Sequence, residues 1–321
     1  MTGGLPYRLL LLACLFVGGL SACAGSPPPP SPPSAPLPGP LATQVQALRA
    51  EGERWLLRGD LARADESFQA ARRMAESLDD GKGLTQVLND LGRVAMERGL
   101  ASQALHWHRR AVKSAELLSD PALLLESLTA LGAAEHLAGR LSEAERRYEE
   151  ALQLSRQVGD RAAEAVLFNN VGLLYRAKGD VLQAEDYFRR ALDLNHALGA
   201  AEAEASNHVN LGLLAEARKE LDRAEQEYER ALELDKAAER RAAIAGDLLR
   251  LGRIAALQGF PDRGAVYAER AYRGYLAQDD TKQAEAALRQ AVEFAARSGR
   301  KDDVARLEAE WAGRSKPRPI P

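Results

Sequence analysis

A spacing of 40 residues governs this chain. An aliphatic residue followed by glycine recurs as Leu91-Gly92, Leu131-Gly132, Val171-Gly172, Leu211-Gly212 and Leu251-Gly252. Twelve residues after each glycine stands a small residue: Ala104, Ala144, Ala184, Ala224 and Gly264. Seven residues further on is an alanine, at Ala111, Ala151, Ala191, Ala231 and Ala271. Self-similarity at one fixed period marks a stack of like supersecondary units, each burying its apolar face on its neighbours. No alternating pattern of a strand appears, so the units are helical and the fold class is all-α.

The residues between these fixed points carry a family resemblance. Phe168, Val171-Gly172, Tyr175, Ala184, Phe188 and Ala191 stand at spacings that resemble the tetratricopeptide signature, and His208, Leu211-Gly212, Ala224, Tyr228 and Ala231 follow it less closely. The resemblance implies a right-handed α-solenoid of about seven helical hairpins. Counting outward places their starts near Val45, Thr85, Leu125, Ala165, Ala205, Ala245 and Glu285. The glycine and alanines belong where the two helices of a hairpin approach most closely. The aromatic residue is expected to fill the gap against the next hairpin. Pairs such as Gly59-Asp60 and Gly179-Asp180 make the turn, with Gly ending one helix and Asp capping the next. The family unit is shorter, at 34 residues, and the surplus falls around Ser119 to Pro121 and Val158 to Arg161. It lengthens the helices by part of a turn, in a way similar to kinesin light chains. Asp120-Pro121 is a helix start, with Asp as cap and Pro at the first helical position. The first hairpin has Glu51 in the aliphatic slot but keeps Gly52, Ala64, Phe68 and Ala71, and the seventh has Val292 for the glycine and Glu308 for the aromatic.

The amino-terminal end has a different character. Arg8 precedes an apolar run from Leu9 to Leu20, shorter than the roughly 20 residues that span a bilayer. The run closes on Leu20-Ser21-Ala22-Cys23, which resembles the lipobox of bacterial lipoproteins, in which the cysteine is lipidated and begins the mature chain. Residues 1–22 are then a signal peptide and Cys23 the lipid attachment site. Ala24 after the cysteine implies, by the same resemblance, an outer-membrane lipoprotein of the bacterial envelope, facing the periplasm. Nine prolines fall in the fifteen residues from Ser26 to Pro40. They favour polyproline II, about 3.1 Å per residue, so residues 23–40 read as a lipidated tether, 41–313 as the solenoid and 314–321 as a disordered tail. The two cysteines are Cys14, in the signal, and Cys23, which leaves no disulfide and no thiolate metal site.

Removing Arg8 with the signal leaves 42 of the 43 basic residues against 46 acidic ones, a balance that gives nucleic acid no basic face to bind. No phosphate-binding glycine loop, nucleophile elbow or HExxH pair is present. His108 and His208 occupy packing positions, His106 faces away from His108, and His136 is expected to look into the groove. Carboxylates such as Glu149 and Glu150 are assigned to solvent faces. No enzyme activity, cofactor or metal is expected.

In tetratricopeptide proteins the first helix of each hairpin lines a concave groove. Carried onto this chain, the lining positions give Asn89, Asp90, Arg93, Asn169, Asn170, Leu173, Val209, Asn210, Leu213, Leu249, Arg250 and Arg253. Asn169, Asn170 and Asn210 would form an amide ladder able to pair with the backbone of an extended ligand, or would instead satisfy neighbouring helices. Arg250 and Arg253 would form a basic patch. The absence of lysine at these positions argues against clamping of a terminal carboxylate, as chaperone-binding relatives do. The expected function is a non-enzymatic protein–protein interaction scaffold or adaptor anchored to the envelope. Its layout resembles pilotin and pilus-biogenesis lipoproteins and adaptors of envelope proteases. The alternative is a structural envelope component that binds peptidoglycan or self-associates.

Overall fold

The computed structural model describes residues 40–314. The signal segment, Cys23, most of the proline stretch and the tail lie outside the described residues. Within them are fourteen α-helices and no strand: α1 (Pro40–Leu57), α2 (Leu61–Ser77), α3 (Gly81–Glu97), α4 (Ala101–Leu118), α5 (Pro121–Leu137), α6 (Leu141–Val158), α7 (Arg161–Lys178), α8 (Val181–Leu198), α9 (Ala201–Ala217), α10 (Leu221–Ala237), α11 (Arg241–Leu257), α12 (Pro261–Leu276), α13 (Thr281–Arg297) and α14 (Lys301–Arg314). This is the all-α helical-repeat fold that the 40-residue spacing predicts. None of these helices is long and apolar enough to cross a membrane.

The helices group into two units, one running to Asp180 and the other from Val181. In the first, hairpins α1/α2, α3/α4 and α5/α6 stack in order, with α7 against α6. In the second, α8 packs on α9, followed by hairpins α9/α10, α11/α12 and α13/α14.

The chain turns by a regular device. A residue with positive φ ends a helix at 59, 79, 99 and every twentieth position to 299. Eight of these thirteen are glycine, which enters this region without steric cost. Asp79, Ser119, Lys219, Glu239 and Asp279 occupy it with a side chain. At Asp60, Asp80, Asp120, Asp160 and Asp280 the next residue caps the following helix through its side chain: Asp80 accepts from Gly83 N at 2.9 Å, and Asp160 from Ala163 N at 2.9 Å. Asp120 caps α5 just before Pro121, as expected. From α3 on, the first helices begin four residues earlier than the sequence count. The surplus over the family unit forms their opening turn, because Asp80, Asp120, Asp160 and Asp280 cap there.

The core is built where a glycine faces a ring of its own hairpin. A Cβ on Gly132 would lie 2.7 Å from the fully buried Tyr148 ring, and one on Gly52 or Gly212 would lie 2.6 Å from Phe68 or Tyr228. The aromatic residue therefore fills the notch left by its own glycine, which corrects the expectation that it fills the gap to the next hairpin. Burying a ring such as Phe68 contributes about 1.5–3 kcal/mol. The α11/α12 hairpin has Ala268 in the aromatic slot and solves the problem differently. There the backbones meet directly, and a Cβ on Gly264 would be 2.8 Å from the Gly252 carbonyl oxygen. At the end of the chain Glu308 stands exposed in that slot, and α14 is held through buried Leu307 and through Trp311, edge-on to Tyr272 at 6.3 Å.

His108 takes the aromatic slot of α4, as its position predicts, and is buried against Gly92. Its Nδ1–H donates to Asn89 Oδ1 at 3.2 Å, and Asn89 Nδ2 donates onward to Ser127 Oγ at 3.0 Å. Burial, with help from the Arg93 charge, pushes its pKa down from 6.5 to about 3. His208 is only half-buried and bonds Glu227 Oε2 through Nδ1 at 2.7 Å, so it is a polar bridge and not a core residue.

Gly132→Ala is expected to cost about 1–3 kcal/mol in urea unfolding, because the Tyr148 ring has nowhere to move; adding Tyr148→Leu should recover part of that loss. Lys219→Gly should stabilise by about 1 kcal/mol, since Lys219 holds φ at +63°. The neutral His108 supplies stability above pH 6.5 that is lost as pH falls toward about 3. In a series of unfolding curves His108→Phe should therefore show a shallower acid limb than the wild type.

Candidate functional site

The first helices of successive hairpins lie side by side: α1 on α3, α3 on α5 and α5 on α7 in the first unit, and α11 on α13 in the second. The 40-residue register thus sets equivalent side chains of neighbouring helices next to each other, and the expected binding residues fall on these helices.

In the first unit the rungs are polar and closed. Gln46 Nε2 donates to Gln86 Oε1 at 3.2 Å, and Arg49 Nη1 to the same oxygen at 2.9 Å. Asp90 accepts from Arg49 Nε at 2.7 Å and from Arg93 Nη2 at 3.4 Å, while Arg93 also pairs with Glu53. Two arginines and two acids neutralise one another across α1 and α3. Asn89 and Asp90 are consequently buried, whereas Arg93 is half-buried. Further along, Thr129 turns its hydroxyl back to the Leu125 carbonyl at 2.8 Å, and Ala130 and Ala133 offer no polar group, so the inner side of α5 is small and plain. Asn169 and Asn170, each 2% exposed, and Leu173 are buried on α7, and Asn170 Oδ1 has no hydrogen-bond partner. His136 is half-buried at the end of α5; burial and the Arg176 charge lower its pKa to about 4, and its Nδ1 is unpartnered.

In the second unit Val209 and Asn210 are buried, and Leu213, Leu249, Arg250 and Arg253 are half-buried. Arg253 Nη2 donates to Glu216 Oε2 at 2.6 Å, an oxygen that also accepts from Tyr228 Oη at 3.0 Å. Arg250 Nη1 donates to Asp247 Oδ1 at 3.0 Å. The expected open basic patch is thus corrected: each arginine already holds an acid. The amide ladder changes in the same sense, since Asn169, Asn170 and Asn210 sit within the helix layer and not on its surface. The accessible side chains of the expected set are Arg93, Leu213, Leu249, Arg250 and Arg253.

The assignment of carboxylates to solvent faces also fails at four positions. Glu135, Glu185, Asp235 and Asp247 are buried, as is Asp90 of the expected groove set. Glu185 is gripped by Arg218 and Arg223, each at 2.6 Å, with Arg189 at 2.7 Å. Burial alone would raise its pKa, but the Arg223 hydrogen bond and the three positive charges hold it below the usual carboxylate range. Glu135 lies 3.7 Å from Arg109 and 4.0 Å from Arg147, and burial dominates there, raising its pKa. For Asp90 and Glu185 the signal was an arginine about one repeat away, Arg49 for the first and Arg218 and Arg223 for the second. Among the described residues no group of three or more His, Cys, Asp or Glu side chains could hold a metal ion.

Comparison with known proteins agrees with this geometry. The family model for the tetratricopeptide repeat matches residues 122–197 and 163–237. Among curated proteins, none matches by sequence. The crystal structure of BtubC (BKLC) from P. vanneervenii is similar at 24% identity and TM-score 0.57, over 75% of this chain and 92% of that one. The Pseudomonas aeruginosa pilF protein is similar at 20% identity and TM-score 0.51, over 76% and 96%. A Rap protein complexed with competence and sporulation factor is similar at 13% identity and TM-score 0.60, over 82% and 76%. At such identities the likeness is one of fold. The tetratricopeptide repeat model thus covers residues 122–237 of this chain, and the fold shared with these structures is a helical repeat.

Proposed function

We propose that this protein is a protein–protein interaction scaffold, held at the bacterial envelope by a lipid on Cys23, that grips a segment of a partner on its first-helix faces. The tetratricopeptide fold suggests the scaffold role. The observation that carries the reading is the pre-ordered first-helix face. Arg93, Arg250 and Arg253 are held in place by Glu53, Asp247 and Glu216, with half-exposed Leu213 and Leu249 in the second unit. Rigid side chains lose little entropy on binding, and half-exposed leucines supply the apolar contact that a partner helix or extended segment needs. Asn169, Asn170 and Asn210 support the helices that carry these contacts. A Rap protein of the same fold, crystallised with competence and sporulation factor, lends support by analogy to a bound partner. Leu20-Ser21-Ala22-Cys23, which resembles a lipobox, followed by Ala24, favours an outer-membrane lipoprotein facing the periplasm. The proline stretch would then set the reach of the body from the membrane.

Two experiments test this. Recovery of crosslinked partners from solubilised envelopes should fall at least about tenfold for Leu213→Asp plus Leu249→Asp, a loss of about 1.4 kcal/mol or more, with the circular dichroism unchanged. Undiminished recovery would reject the first-helix face and move attention to the second helices. Separately, Cys23→Ser should abolish labelling by a lipid precursor and release the protein from membranes; labelling that survives would refute the anchor.

A further inference from the structure

Where α8 meets α9, two buried amides face each other, and Asn195 Nδ2 donates to Asn207 Oδ1 at 2.7 Å. One repeat later, in the same register where α10 meets α11, stand Asp235 and Asp247. They are 3% and 1% exposed. An amide pair bonds as it stands, because each amide is both donor and acceptor. Two ionised carboxylates have acceptors only, and they repel at close range.

The surroundings leave this pair one proton short of balance. Arg240 Nη1, in the α10–α11 turn, donates to Asp235 Oδ1 at 3.2 Å, and Arg250 Nη1, one turn along α11, donates to Asp247 Oδ1 at 3.0 Å. Asp247 Oδ2 is buried and receives no hydrogen bond. Glu202 on α9 adds a further negative charge near Asp235, and Tyr275 of α12, near Asp280, is the remaining titratable group facing Asp247. Three acids thus surround two arginines on the α9–α11 side.

We propose that Asp235 and Asp247 share a single proton, and that this proton is a pH-operated latch between the α9/α10 and α11/α12 hairpins. With the proton in place, the pair reproduces the amide bridge of Asn195 and Asn207. Without it, two buried negative charges face each other and the junction loosens. Burial, opposed by Arg250 and aided by the Asp235 charge, raises Asp247 to about 7, and burial raises Asp235 as well. The folded chain therefore keeps a proton that the unfolded chain releases above about pH 4. Stability from this pair is full at acid pH and falls as pH rises from about 4 to about 7, by up to about tenfold in the unfolding equilibrium per pH unit. Above that range the loss is complete.

Hydrogen exchange of the full chain at about pH 5.5 and about pH 8, corrected for the intrinsic rate, reads the latch directly. Protection of α10 and α11 in the wild type should fall about tenfold or more between the two conditions, with α1 and α2 as an internal reference. Asp235→Asn plus Asp247→Asn, which copies the amide pair, should remove that difference. Asp247→Asn alone supplies a permanent donor and should also stay protected at both values, so a failure of the double variant to fold leaves the test intact. An equal pH response in wild type and variants, or no response in the wild type, would overturn the proposal.

Discussion

The ring of Tyr148 lies on the bare backbone of Gly132, and that contact sets how far apart the two helices of a hairpin stand. The same contact recurs between Phe68 and Gly52, His108 and Gly92, and Tyr228 and Gly212. Every other contact in the layer depends on it. With the helix spacing fixed, alanines such as Ala144 and Ala151 can be fully buried between helices, and equivalent side chains of successive first helices come within hydrogen-bonding reach. The α11/α12 hairpin shows that the spacing is what matters and not the ring. With Ala268 in place of an aromatic residue, Gly264 replaces the usual alanine and the backbones close up.

The twenty-residue rhythm of positive-φ positions complements this contact along the other axis. Because each helix stops and restarts at a fixed count, the register between neighbours does not drift along the chain. Glu53 therefore finds Arg93 and Glu216 finds Arg253, 40 and 37 residues apart. Sequence-remote pairs behave as local ones in a stack of this kind.

Much of this was legible beforehand. The glycine and alanine positions, the Asp120-Pro121 start and the burial of His108 follow from spacing, because close helix approach tolerates few residue types. The partner of the aromatic residue is not legible, since a linear pattern shows that a ring and a notch coexist but not which notch the ring enters. A 34-residue unit has no place for the opening turn of each first helix, although Asp80 and Asp160, like Asp120, mark it. The charged residues were the least legible. A carboxylate such as Glu185 reads as surface until Arg218 and Arg223, more than thirty residues away, are brought onto it. The Asn195–Asn207 and Asp235–Asp247 correspondence was present in the 40-residue register, but only the buried geometry gives it meaning.

The pairing of the surface arginines has one more consequence. Arg93, Arg250 and Arg253 are occupied before any partner arrives, so an incoming acidic group cannot simply be captured by a waiting positive charge. It has to compete with Glu53, Asp247 or Glu216 for the guanidinium charge. If the proposed faces bind an acidic segment, recognition there is an exchange of one carboxylate for another. Net attraction largely cancels in such an exchange, and selection falls to fit: how well the newcomer matches the fork geometry that the resident acid already satisfies. A face built this way turns away most anions by already owning better ones.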